Sequence, residues 1–491
     1  MQKKDGVLEI ILSLIALTIA MSIFLKAILD MDTNYDVGWY HLPFAARIWN
    51  IIPAESFTSG AKVEYRYDGF PLLAHFFQGL LWKLTGRVQA ANLVGYLSLI
   101  IYILFLRSYL KIPWYISIIA IFTIPAVLTH APSSFVDLPG NVGASVLMMM
   151  TYCFFRQSRL PGKPELLIAF LGAATAANIK PQLQPLVFIL FWVVGIRIVW
   201  LYWQHTSPSQ RQLWLIVPLS AIATAVIFAT PIKNVALYGN PFYPIKIEVA
   251  GIVLNHEMTP QTYSEGNRPR KWLRSILEIN TPEWSIDQSN RTYEKKYLDR
   301  AGGFFGAYVI FNFLLLIFLT ITEKYEHKVF ESHNSSHAAI ALVTILLASL
   351  YTANFPQSHE LRYLMFWMIT LVSLNLHLIF SLQNLVLKWI KLRNFKLIYL
   401  LFFIVVCIRI EHFYLKPDFR SLEVYLHKIV NLEILGQITP NETNCITKKS
   451  AAIQHIFYYS SYFHPEINYD YSIKAAADIE ACGTDRIIVP K

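Results

Sequence analysis

Three carboxylates fall within seven residues in Asp30-Met31-Asp32-Thr33-Asn34-Tyr35-Asp36, and Tyr40 and His41 follow closely. The stretch starts where the first long apolar run of the chain stops. Charged groups at such an edge are costly to place and call for a reason. One reason is bland: a solvated loop that ends a membrane helix. The other is chemical: an acidic site at a membrane surface, with a carboxylate as general base. Asp30 and Asp32 also form a literal Asp-x-Asp, hard-oxygen ligation that suits Mg²⁺ or Mn²⁺.

Ionisable residues recur at the ends of later apolar runs. Asp137 lies in Pro132-Ser133-Ser134-Phe135-Val136-Asp137-Leu138-Pro139-Gly140, and Lys180 in Asn178-Ile179-Lys180-Pro181. Lys233 lies in Pro231-Ile232-Lys233-Asn234, while His359, Glu360 and Arg362 precede Tyr363. Singly, each reads as a helix-end residue snorkelling to the interface. Together, two acids and several cations at one membrane face fit transfer from a phosphate-linked lipid. Cations hold the leaving phosphate, and an acid takes the proton of the acceptor hydroxyl. Lys180, Lys233 and Arg362 are the expected phosphate ligands on this reading. No GxxxxGK[ST], GxGxxG, HExxH or CxxC stretch occurs, so nucleotide hydrolysis and a standard zinc site lack support. No inverted repeat is visible, and the ionisable residues avoid the midplane, which weighs against a transporter. A flippase or polymerase of envelope polysaccharide is the other alternative.

Membrane helices must position these residues. The 491-residue chain is 55% hydrophobic and 14% aromatic but only 15% charged, far too apolar for a soluble protein of this size. It reads as an all-α polytopic membrane protein. The net charge of +10 is no sign of nucleic acid; it sits largely in short loops, where it sets orientation and meets lipid headgroups. Lys3 and Lys4 precede the first run and keep the N-terminus inside, which puts Asp30 to Asp36 outside. An interfacial helix is expected near 41–50, and a second, semi-apolar one over 72–82 ends at Gly86. Further runs cover 92–106, 113–128, 139–155, 164–179, 183–203, 213–230, 303–321, 338–353, 361–382 and 397–410. With the first helix they make about eleven spans of near-membrane length. Basic residues collect in the loops assigned inside, among them Arg156, Arg159, Lys163, Lys388 and Lys391. Residues 1–410 thus form a transmembrane domain with a first outer loop (30–91) and a long outer loop (232–302).

The tail, 411–491, is placed outside. From Pro440 it is polar and tyrosine-rich and closes on Arg486-Ile487-Ile488-Val489-Pro490, which reads as a strand. A small α/β element of about fifty residues is expected there, of a size that benefits from a cross-link. Cys153 and Cys407 fall in membrane helices, whereas Cys445 and Cys482 share the exported tail, an arrangement that suggests a disulfide.

Several of these stretches carry a family resemblance. Asp36-x-x-x-Tyr40-His41-Leu42-Pro43 after a first membrane helix resembles the first outer loop of bacterial glycosyltransferases of the C superfamily. These polytopic enzymes take sugars from polyprenyl-phosphate carriers and include protein O-mannosyltransferases and lipid A aminoarabinose transferases. Val136-Asp137-Leu138-Pro139 resembles their second-loop acid at a helix start. Asn234 with Tyr238-Gly239-Asn240-Pro241-Phe242-Tyr243-Pro244 resembles an "RN…GNPxYP" segment, and Gly302-Gly303-Phe304-Phe305-Gly306 and Arg362-Tyr363 also have counterparts. The likeness runs from the first helix to Tyr363 and leaves out the tail.

The resemblance implies Asp36 as catalytic base and Asp137 as a second acid that orients donor or acceptor. It implies substrate contacts from Tyr40, His41, Arg66, Lys180, Lys233, Arg362 and Tyr363. Lys233 stands where an arginine is usual, so it holds phosphate as a point charge without bidentate geometry. A donor with a single phosphate needs no metal, so ligation by Asp30 and Asp32 is optional. The expectation is inverting sugar transfer from a polyprenyl-phosphate donor to a lipid, glycan or protein acceptor. It would occur at the extracytoplasmic face of the inner (plasma) membrane.

Overall fold

The computed structural model describes residues 2–58, 60–205, 210–249, 251–259, 266–279, 303–329, 336–382, 391–409, 415–447, 453–467, 469–476 and 478–488. Parts of the expected long outer loop, with Gly302, Lys388 and Val489-Pro490, lie outside these residues.

The chain is mostly helical. In order, the helices that frame the protein are α1 (Gln2–Leu29), α2 (Leu42–Ile48), α3 (Ala61–Gly69), α4 (Leu73–Thr85), α5 (Leu93–Ser108), α6 (Trp114–Phe122), α7 (Pro125–His130) and α8 (Asp137–Arg156). They continue with α9 (Lys163–Ile179), α10 (Gln184–His205), α11 (Gln210–Ile227), α12 (Ala229–Tyr238), α13 (Arg268–Leu277), α14 (Gly306–Val329), α15 (His337–Asn354) and α16 (Met365–Ser381). A last long helix covers Leu392–Arg409.

Among the described residues, 7 helices are long and apolar enough to cross a membrane, or 8 if the bent pair α11 and α12 is one span. That is fewer than the expected eleven, and each shortfall has a cause. The expected span 113–128 is cut by Pro125, which starts α7 after an extended Ile124. Helix α9 stops at 17 residues, and Leu392–Arg409 carries three basic residues. The chain bends by 73° between α11 and α12, where Pro231 has no N–H to give the carbonyl of Ile227.

At the centre, α8 packs against α5, α9, α10, α15 and α16. Its contact with α9 is backbone-close: a Cβ on Gly143 would meet Ala176 N at 2.9 Å, and one on Gly172 would meet the Gly143 carbonyl at 3.0 Å. Small residues let membrane helices approach in this way. Because α8 and α9 form an antiparallel pair, the first residue of α8 and the residue after α9 meet at one end. Those residues are Asp137 and Lys180.

The first outer loop and the tail form a single body. Strand β1 (Phe57–Thr58) comes from the loop; after a short hairpin, β2 (Glu248–Val249) and β3 (Ile252–Val253), the tail supplies β4 (Thr443–Thr447), β5 (Ser472–Ala476) and β6 (Arg486–Ile488). The sheet order is β1-β5-β4-β6, all parallel, with Phe57 opposite Ile473. Beneath it Val37, Leu42, Ala46 and Trp82 share a core with Ile456, Phe457, Tyr458 and Phe463. A disulfide joins Cys445 and Cys482, their Cα atoms 5.8 Å apart. The tail therefore lies on the same side of the membrane as the loop that follows α1.

Candidate active site

The two most enclosed spans, α8 and the one over Leu361–Ser381, both begin at the end of the molecule that carries the first outer loop. Each start presents charge. Asp137 opens α8, and Arg362 and Tyr363 lie in the tight turn before α16. Asn141, one turn into α8, ties these starts together. Its amide donates to the carbonyls of Asp137 (2.8 Å) and Arg362 (3.0 Å), and its oxygen accepts from Phe366 N at 2.9 Å.

Two acid–cation pairs result. Arg362 Nη1 donates to Asp36 Oδ2 at 2.9 Å, and Lys180 Nζ lies 2.9 Å from Asp137 Oδ1. Tyr363 connects them. Arg362 Nη2 donates to its hydroxyl at 2.8 Å, and the Lys180 ammonium lies 5.0 Å from its ring centroid. Side-chain exposure separates the two acids: Asp36 is 15% exposed and Asp137 is 0%. Asp36 is therefore within reach of solvent, whereas Asp137 is suited to holding Lys180 in place.

The first outer loop supplies one wall. Asp36 precedes a wide helical turn, Val37–His41, that runs into α2. The turn points Tyr40 and His41 inward, and both are buried. Burial first, then the Asp36 charge, pushes the Tyr40 phenol well above its ordinary range. The Arg66 guanidinium lies over Trp39 at 4.3 Å and Tyr40 at 5.2 Å, and no acid partner is present for it among the described residues. Arg66, Lys180 and Arg362 thus gather around Tyr40 and Tyr363, beside the carboxylates of Asp36, Asp137 and the buried Glu360.

His41 Nδ1 lies 2.9 Å from His75 Nε2. Burial drives both imidazoles toward the neutral form, His41 well below its ordinary value and His75 to about 3, the nearby Lys180 charge adding to each. The pair is thus an uncharged hydrogen-bonding unit beside the cations.

Two sets of expected ligands go elsewhere. Lys233 donates to the Asp68 carbonyl at the end of α3, and no contact joins it to Asp36, Asp137, Lys180 or Arg362. Its neighbour Asn234 donates to Gly69 O at 2.8 Å; Gly69 is close enough to Tyr243 and Pro244 that a Cβ there would clash. This segment braces the helix that carries Arg66. Asp30 accepts from Lys26 Nζ (2.7 Å) and from Asp418 N of the tail (2.8 Å). Asp32 accepts from Asn34 N (3.0 Å), Ser134 N (3.1 Å) and the Ser133 hydroxyl. The two carboxylates thus serve different neighbours, and no group of three or more His, Cys, Asp or Glu residues suited to a metal occurs among the described residues.

Sequence reasoning missed Asn141 and His75. Asn141 had a usable signal, a polar residue one turn after an acid in an apolar helix. His75 had none, since nothing local links it to His41 across 34 positions.

No family model matches the chain, and no curated protein matches it. Among solved structures it is similar to ArnT from Cupriavidus metallidurans. The apo state gives a TM-score of 0.40 at 11% identity, covering 99% of this chain and 90% of that one. The form bound to undecaprenyl phosphate gives 0.46 at 11%, covering 98% and 89%.

Proposed function

We propose that the protein is a membrane glycosyltransferase that moves a sugar, with inversion, from a polyprenyl-phosphate donor to an acceptor hydroxyl outside the membrane. The observation that carries this reading is the convergence of the Asp36–Arg362 and Asp137–Lys180 pairs on Tyr363 at the outer starts of two central helices. Lys180 and Arg362 hold the donor phosphate, with the adjoining helix N-termini adding positive potential. That phosphate competes with Asp36 for the Arg362 guanidinium. Binding of donor therefore releases the carboxylate to take the acceptor proton, and the acceptor oxygen attacks the sugar opposite the departing phosphate. Arg66, Tyr40 and His41 line the sugar side.

The frame for this reaction is an eleven-span protein of the inner (plasma) membrane with its N-terminus inside. The shared sheet supports an odd count, because it puts the tail beyond the same face as the first outer loop. Adding the broken α6–α7 segment, α9 and Leu392–Arg409 to the eight apolar spans gives that number. The acceptor class stays broad: lipid, glycan or protein.

The test is transfer from a synthetic polyprenyl-phosphate sugar by purified protein. Asp36→Asn keeps the shape but cannot take a proton, so turnover should fall about 100-fold or more, within the usual range for a lost general base. Near-normal turnover of folded Asp36→Asn protein would refute the assignment.

A further inference from the structure

We infer that the inner end of α1, α5 and α6 holds a specific site for an anionic phospholipid of the cytoplasmic leaflet. At the end opposite the candidate active site, these helices leave a lateral groove of about 630 Å³. Its upper wall is apolar and faces the hydrocarbon: Ile10, Leu14 and Leu17 of α1 are all exposed. Arg107, Lys111 and Trp114 line its lower end. An acyl chain fits the first part, and a negatively charged headgroup the second.

Charge complementarity selects the occupant. The one acid in the groove, Glu9, is already matched, with Lys396 Nζ 2.6 Å from its carboxylate. Lys111 donates to the Ser108 carbonyl at 2.8 Å and meets no carboxylate among the described residues. The Arg107 side chain has no hydrogen bond or ion pair among the described residues. Two cations therefore remain uncompensated at the depth where phosphates lie. Trp114 sits beside them, as an indole does at a headgroup boundary. Basic pockets between helices on this side of a bilayer suit acidic lipid headgroups. A zwitterionic lipid offers the same chain and phosphate but cancels the attraction with its own cation.

The experiment is native mass spectrometry of the full chain released from detergent. It compares phosphatidylglycerol with phosphatidylcholine of identical chains. Wild type should retain phosphatidylglycerol in clear preference. Arg107→Ala with Lys111→Ala should lower its affinity about 30-fold, from roughly 1 kcal/mol per basic residue at 1.4 kcal/mol per tenfold. The exchange Arg107→Lys with Lys111→Arg keeps both charges and should retain the preference. Leu14→Trp, which fills the groove, should weaken binding of both lipids. Equal retention of the two lipids by wild type overturns the proposal, as does undiminished phosphatidylglycerol binding by the double alanine variant. Displacement of the lipid by millimolar inorganic phosphate would overturn it too, because the site would then bind free anions. Should the double alanine variant misfold, the wild-type comparison and Leu14→Trp still decide. None of these readouts depends on transferase activity.

Discussion

Replacing Lys180 with methionine removes the ammonium that faces Asp137 and strands a fully buried carboxylate at the start of α8. Removing one partner of a buried ion pair costs about 3–5 kcal/mol, because the charge left behind has neither water nor counter-ion. Arg362 and His130 still act on Asp137, so the loss should sit near the lower end, about 3 kcal/mol. Adding Asp137→Asn removes the stranded charge, and the double variant should return to within about 1 kcal/mol of wild type. The double variant would then be about 2 kcal/mol more stable than Lys180→Met alone, so the losses of the two single variants should not add in a double-mutant cycle. Denaturant unfolding of the four purified proteins in detergent, followed by tryptophan fluorescence, measures this directly. Transfer assays on the same proteins separate structure from chemistry, since the double variant should recover stability but not turnover. Stability losses that simply add, within about 0.5 kcal/mol, would refute the coupling read from the 2.9 Å contact. Recovery of turnover along with stability would refute the phosphate role of Lys180.

Two further outcomes are expected. Cys482→Ser opens a loop of 37 residues, which should cost about 4 kcal/mol if chain entropy dominates; it should expose the tail to limited proteolysis, and unchanged resistance would contradict it. His41 and His75 are held neutral when folded, His75 with a value of about 3, but regain an ordinary value near 6.5 on unfolding. Between those limits the unfolded chain binds more protons, so stability should fall as pH drops from about 6.5 toward 3. His75→Gln should flatten that slope, and an identical slope in the variant would count against the buried pair.

How much of this was readable beforehand depended on range. Asp36, Asp137, Lys180 and Arg362 stand at the edges of apolar runs, where hydropathy alone marks them as exceptions. Their pairing followed from helix direction, since an antiparallel α8 and α9 must bring positions 137 and 180 to one end. The bend at Pro231 and the break at Pro125 were visible as prolines, but not as changes in the count of spans. Lys233 looked equivalent to Lys180 because position relative to a helix end says nothing about which neighbour the side chain meets. Least legible was the sheet: β1 is two residues long, and its partner lies more than 400 positions away. No local pattern marks Phe57 as a strand residue.

That pairing has a consequence for biogenesis. Phe57 and Thr58 are made early, yet they dock against Ile473 and Lys474, made near the end of synthesis. Domains usually fold from the N-terminus as the chain emerges, but contacts of this separation must wait for loop closure. A nascent chain could therefore insert all its helices and still carry an unsupported Asp36 loop. The bracing of this loop, on this geometry, arrives late and all at once. A translation product cut short before residue 472 would hold every charged group of the site without the strand that braces the loop beside them.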